Sequence, residues 1–147
     1  MATKKELEKN LLRAIKARDE LSKNAIRLAI SSIKLAEVEK GEELSESEIF
    51  AILRKEIKMR EETIAEAEKA DRQDLIMNTK AEIEILKQFL PEELSDQELT
   101  ELVKKIIMET GASSMKEMGM VIKKVIQEVH GRASNEQISK KVRELLA

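Results

Sequence analysis

The sequence predicts an all-α protein in two parts, a four-helix amino-terminal domain over residues 1–90 followed by a three-helix carboxyl-terminal module over 95–147, on three observations. Apolar residues recur at intervals of three and four through nearly all of the 147 residues, and no run alternates with period two between turn residues as a strand would. Serine or threonine followed three positions later by glutamate or glutamine recurs at Thr3, Ser45, Ser95, Ser114 and Ser134, the spacing of a capping box. The single proline, Pro91, stands between two such stretches. Proline has no N–H to donate and pushes the preceding residue out of helical geometry, so a helix arriving through Leu86 and Phe89 stops near Leu90.

Taken in order, Thr3 and Glu6 open a first helix with Leu7, Leu11, Ala14 and Ile15 on one face. A second starts near Asp19, carries Ala25, Ile26, Ala29, Ile30 and Ile33, and ends at Gly41, the residue type best suited to a left-handed terminus. Ser45 and Glu48 cap a long third helix through Ile49, Leu53, Ile57 and Ile64. Asp71-x-x-Asp74 marks a break before a fourth, whose stripe is Leu75, Thr79, Ile83, Leu86 and Leu90. After the proline, Ser95 to Thr110 closes at Gly111, Ser113 or Ser114 to His130 closes at Gly131, and Ser134 opens the last helix.

Aromatics are 1% of the chain, Phe50 and Phe89 alone, so the cores must be aliphatic. Without cysteine there are no disulfides, thiolate nucleophiles or cysteine-bound zinc. No stretch approaches the ~18 apolar residues of a membrane span or the ~7–15 of a signal segment, so a soluble, unprocessed, cytoplasmic protein with no membrane partner is expected. The net charge of -2 conceals an uneven distribution. Residues 41–94 hold 8 basic and 15 acidic groups, whereas 113–147 hold 7 basic and 4 acidic, and a cationic end of this kind leaves a nucleic-acid partner open.

The residues Phe89-Leu90-Pro91-Glu92-Glu93-Leu94-Ser95, Gly111-Ala112-Ser113, Met118-Gly119 and Gly131-Arg132-Ala133 follow one another in the order and spacing of a known family. Across its whole length the chain resembles the YqeY family, small bacterial proteins related to the carboxyl-terminal domain of the B subunit (GatB) of glutamine-dependent tRNA amidotransferases. The GatB relationship covers mainly residues 95–147. Lys123 stands where the family often has a small residue, and Ser134-Asn135 where it has Asp-Gly or Asn-Pro. The resemblance implies a module that recognises the outer corner of tRNA while other parts of a larger enzyme do the chemistry. By association with that enzyme the resemblance also implies carbon-nitrogen ligase activity with glutamine as amido-N-donor.

The residues themselves supply neither of the devices that such chemistry needs. Glutamine-dependent transfer requires an activated nucleophile and a site for phosphoryl activation of the acceptor, and the four glycines (41, 111, 119 and 131) are too scattered for a phosphate loop. His130, the single histidine, sits where a cation complements a helix terminus, with phosphate contact as the alternative role. One histidine cannot complete a di-iron site with Glu61, Glu62, Glu66 and Glu68, which read as a solvated acidic face; no metal and no cofactor is expected. Met108, Met115, Met118 and Met120 read as gap fillers of an aromatic-poor core, with a partner surface as the alternative, and Gly119 as a point of close approach for a neighbouring helix or an RNA backbone.

The candidate nucleic-acid contacts are Lys116, Lys123, Lys124, Arg132, Lys140, Lys141 and Arg143. Arg132, just past a helix-ending glycine, is placed either to grip a phosphate or to pair with a glutamate. The expectation is a non-catalytic tRNA-binding-like accessory protein, with aminoacyl-tRNA or amidotransferase machinery as partner. The alternatives are a protein-interaction module using the acidic segment 41–94, or an enzyme component active only inside a complex.

Overall fold

The computed structural model describes residues 2–147, of which 81% are helical, with no strand among them. Seven α-helices follow in order: α1 (Ala2–Ala17), α2 (Glu20–Lys40), α3 (Glu46–Lys69), α4 (Gln73–Lys87), α5 (Asp96–Thr110), α6 (Met118–Val129) and α7 (Asn135–Leu146). They gather into two compact units, one ending at Leu90 and the other spanning Pro91–Ala147.

In the first unit, branched aliphatic residues at helical spacing meet in one core. It consists of Leu7 of α1, Ile26, Ala29, Ile30 and Ile33 of α2, Leu44, Ile49, Leu53 and Ile57 of and before α3, and Ile83 and Leu86 of α4. Each fully buried Leu or Ile contributes about 1.5–3 kcal/mol. Asp19 caps α2, its carboxylate accepting the Ser22 N–H at 3.1 Å, and Gly41 closes the helix in the left-handed region at φ 83°. Ser45 and Glu48 form the expected capping box.

Three expectations for this unit are corrected. Thr3 is not a cap: α1 begins before it, and its N–H and hydroxyl both donate to the Glu46 carboxylate at the start of α3. Ile15 lies one residue, about 100°, beyond the Leu7–Ala14 seam and is 44% exposed. In α4 the inward stripe is Ile76, Thr79, Ile83 and Leu86, with Leu75 left in the exposed first turn. The break before α4 falls where expected but by another device. Asp71 takes a left-handed conformation at φ 53°, and Arg72 stands at the cap position, ion-paired to Asp74.

One buried cation ties three of these helices together. Arg60 of α3 is 8% exposed; its Nε donates to Glu82 of α4 at 2.9 Å and its Nη1 to Glu56 at 2.9 Å, while the Ser32 hydroxyl of α2 donates to Glu56 at 2.7 Å. Removing the guanidinium leaves two facing carboxylates with no cation between them. Arg60→Ala is expected to lose about 2–3 kcal/mol in urea unfolding followed by helical circular dichroism. A loss below that of an ordinary surface substitution, about 0.5 kcal/mol, contradicts the assignment.

The Ser45 cap also makes stability depend on pH. The Lys40 ammonium, with the Ser45 N–H and hydroxyl, holds the Glu48 carboxyl down at about 2 against an ordinary 4.5. A depressed carboxyl stabilises the fold above its unfolded value and loses that contribution as pH falls through the folded one. Glu48→Gln is therefore expected to lower Tm fully at pH 6, with the deficit shrinking between about pH 4.5 and about pH 2. A deficit that stays constant over that window counts against the pair.

In the second unit, Leu99, Val103 and Ile106 of α5, Val121, Val125 and Val129 of α6, and Ile138, Val142 and Leu146 of α7 form the core. Capping boxes at Ser95 and Ser134 start α5 and α7, and Gly111 ends α5 at φ 70°. Ser114 makes no cap. A single 3-10 turn, Met115–Glu117, precedes α6, which starts three residues later than a cap at Ser114 requires.

Candidate nucleic-acid interface

The seven candidate cations divide into two groups. Lys116 lies in the 3-10 turn, Lys123 and Lys124 on α6 away from the Val121/Val125/Val129 seam, and Lys140 and Arg143 on α7 away from Ile138/Val142/Leu146. All five are exposed, and none takes part in an ion pair among the described residues. Helical spacing accounts for this: once every third or fourth residue is committed to the core, positions between them face water.

Arg132 and Lys141 are instead held by their own unit. The Arg132 Nε donates to the Glu92 carbonyl at 2.8 Å, and the Arg132 carbonyl accepts the Leu94 N–H at 2.9 Å, so the residue clips down the segment after Pro91. The sequence left phosphate or glutamate as its partner; the Nε is spent on backbone. Lys141 is only 14% exposed, with Nζ 2.7 Å from the Asp96 carboxylate and 3.7 Å from Glu144, joining α7 to the start of α5. The Asp96 hydrogen bond raises the Lys141 pKa from its ordinary 10.5, against the lowering effect of burial. Nothing in the local sequence around Lys141 foretells a partner 45 residues away.

Three further readings change. Met108 is 83% exposed, and Met115 and Met120 are also exposed, so only Met118 packs against the core. Met108 lies nine residues beyond Leu99, on the side of α5 opposite its buried seam; Met115 lies in the 3-10 turn, and Met120 is one residue, about 100°, before Val121. A Cβ added at Gly119 meets nothing within 4 Å, so no close helix approach calls for glycine there. His130 lies past the last turn of α6 and itself adopts the left-handed C-cap conformation at φ 49°, with Gly131 following at φ 80°.

Among the described residues no group of three or more histidines and carboxylates is arranged to hold a metal, and Glu61, Glu62, Glu66 and Glu68 are all exposed. In the first unit a cleft of about 490 Å³ between α3 and α4 is open to solvent, and its lining includes Met59, Glu62, Thr63, Glu66, Arg72 and Leu75.

A family model described as Yqey-like protein matches residues 4–146. The chain belongs to the YqeY family. Several fungal relatives share the name Altered inheritance of mitochondria protein 41, mitochondrial. That of Lachancea thermotolerans is 38% identical over 85 residues, covering 57% of this chain and 46% of its own length. The YqeY-family chain thus spans about half the length of that relative. The Pyrenophora tritici-repentis protein is 28% identical over 145 residues, covering 95% of this chain and 78% of its own. The Saccharomyces cerevisiae protein is 30% identical over 128 residues, covering 84% and 68%. These relatives are fungal and named mitochondrial, so they do not share the bacterial setting that the resemblance suggested. Among the described residues no helix is long and apolar enough to cross a membrane.

The division of cations has a measurable consequence. Arg132→Ala removes a charged donor from a backbone carbonyl and is expected to cost about 1 kcal/mol of unfolding free energy. Lys123→Ala and Arg143→Ala are expected to stay within about 0.5 kcal/mol of the parent. Equal losses from Arg132 and Lys123 in urea titration contradict the division.

Proposed function

We propose that this YqeY-family chain is a non-catalytic tRNA-binding accessory protein in which residues 95–147 form a domain of their own and carry the RNA contact, and residues 1–90 form a second, four-helix domain. The observation that supports this reading is the group of exposed cations without ion pairs, Lys116, Lys123, Lys124, Lys140 and Arg143, in the part of the chain that resembles the GatB tail. With Phe50 and Phe89 as its aromatics, both before residue 95, the module has no platform for stacking unpaired bases. Recognition would rest on backbone charge and shape, which suits a folded tRNA. Aminoacyl-tRNA or amidotransferase machinery is the proposed context. The setting is aqueous, cytoplasmic by the sequence and mitochondrial for relatives whose names carry that location.

A second reading, a protein-interaction module, is favoured by the exposed acidic residues Glu61, Glu62, Glu66 and Glu68 of α3. As a component of a carbon-nitrogen ligase using glutamine, the chain would need its nucleophile and its phosphate site from another subunit, having no cysteine and no phosphate loop. Pull-down with and without ribonuclease separates the RNA reading from the protein one.

Titration of labelled tRNA at several salt concentrations tests the RNA site directly. Lys123→Glu with Lys124→Glu is expected to weaken binding and, because two phosphates then keep their counterions, to flatten the slope of log affinity against log salt by roughly 1.4–1.8. Lys5→Glu with Lys9→Glu, an equal charge change at exposed positions of α1, is expected to leave the slope unchanged. Equal effects from both pairs overturn the site and favour the protein-interaction reading.

A further inference from the structure

Helix α2 has a second apolar face with no partner among the described residues. Its core side is Ala25, Ile26, Ala29, Ile30 and Ile33; on the opposite side, at 100° per residue, lie Asn24, Leu28, Ser31, Leu35 and Val38. Leu28, Leu35 and Val38 are 56%, 61% and 78% exposed. With half-buried Leu21 the run reads as three heptads, leucine at every a position (21, 28, 35) and Asn24, Ser31 and Val38 at d.

The charges of α2 sort by the same geometry. Glu20 pairs with Lys23, Glu37 with Lys4, and Lys40 with Glu42 and Glu48. The remaining three, Arg27, Lys34 and Glu39, are exposed, take part in no ion pair among the described residues and flank the leucine stripe. Arg27 and Lys34 occupy g positions on one edge, and Glu39 an e position on the other.

We propose that this stripe is the interface of a homodimer in which α2 pairs with α2 of a second copy, parallel and in register. The charge pattern selects both occupant and direction. In a parallel pair the g residue of one helix meets the e residue five positions on in its partner, so Lys34 meets Glu39 of the second copy twice, once on each side of the two-fold axis. An antiparallel pair would oppose g to g and bring Arg27 against Lys34, four like charges. Asn24 meets its own counterpart only in register, the use of a polar seam residue that fixes alignment in coiled coils. The apolar contact is far smaller than the ~20–30 residues a side of a standard interface, so association is concentration-dependent.

Sedimentation velocity of the full chain tests this, with interference optics because there is no tryptophan or tyrosine. From micromolar to millimolar protein the sedimentation coefficient is expected to rise from monomer to dimer. Leu28→Lys with Leu35→Lys, exposed positions whose change leaves helical circular dichroism intact, is expected to raise Kd by at least roughly tenfold. Lys34→Glu and Glu39→Lys are each expected to weaken the dimer, and the two together in one chain to restore it. A monomer throughout the range overturns the proposal and leaves the face to a different protein. A dimer indifferent to the leucine changes, or one strengthened by Lys34→Glu as an antiparallel pair would be, overturns it equally.

Discussion

Packing branched aliphatic side chains without aromatic help is the constraint on which the rest of this molecule depends. A leucine or isoleucine offers less area than a tryptophan, so each unit needs many of them, set at regular helical intervals and almost wholly withdrawn from water. Leu7, Leu53 and Leu86 in the first unit, and Val103, Val121, Val125, Ile138 and Val142 in the second, have no exposed surface. Such seams fix the rotation of each helix about its axis. Every other side chain then falls to the flank or to the solvent side by the same 100° step.

That rotation explains why charge is abundant yet ordered. At 38% charged residues, most charges must face water, and the exposed lysines of α6 and α7 do so as by-products of their valine and isoleucine seams. A few are drawn inward and become structural. Arg60 joins α2, α3 and α4 through Glu56, Glu82 and Ser32, and Lys4 reaches Glu37, whose carboxylate also accepts the Leu44 N–H at 3.1 Å. In the second unit Lys141 and Arg132 do the corresponding task for α5 and for the segment that follows Pro91. The same residue types therefore serve two purposes, and surroundings rather than identity decide which. Lys116, Lys123, Lys124, Lys140 and Arg143 of the second unit stay outside these pairings and are the residues through which the chain is proposed to meet RNA.

Membership of the YqeY family sets this arrangement among proteins whose names concern mitochondrial inheritance, not a reaction. Open helix surfaces, separated charges and outward apolar groups on α2 are the features on which the proposed binding surfaces rest. The two proposed surfaces, basic on α6 and α7 and leucine-lined on α2, belong to different units and are testable separately.

The helical class, the capping boxes at Ser45, Ser95 and Ser134, the glycine termini at 41 and 111, and the seams of α2 and α3 were all readable from sequence, because each follows from interactions within about four residues. The errors share one cause. Thr3 has the spacing of a cap, yet Glu46 takes its donors; Ser114 has it too, yet a 3-10 turn intervenes; Met108, Met115 and Met120 are apolar, yet they lie off the buried seams. Nothing local in the sequence separates Lys141 from Lys140 or Arg143, and at Arg132 the sequence left its partner open. Local spacing determines which residues form a helix and which face carries the apolar groups. Which charges are neutralised, and which apolar residues find room inside, depends on groups 40 or more positions away, as between Arg132 and Glu92 or Lys141 and Asp96, and only the folded chain brings those together.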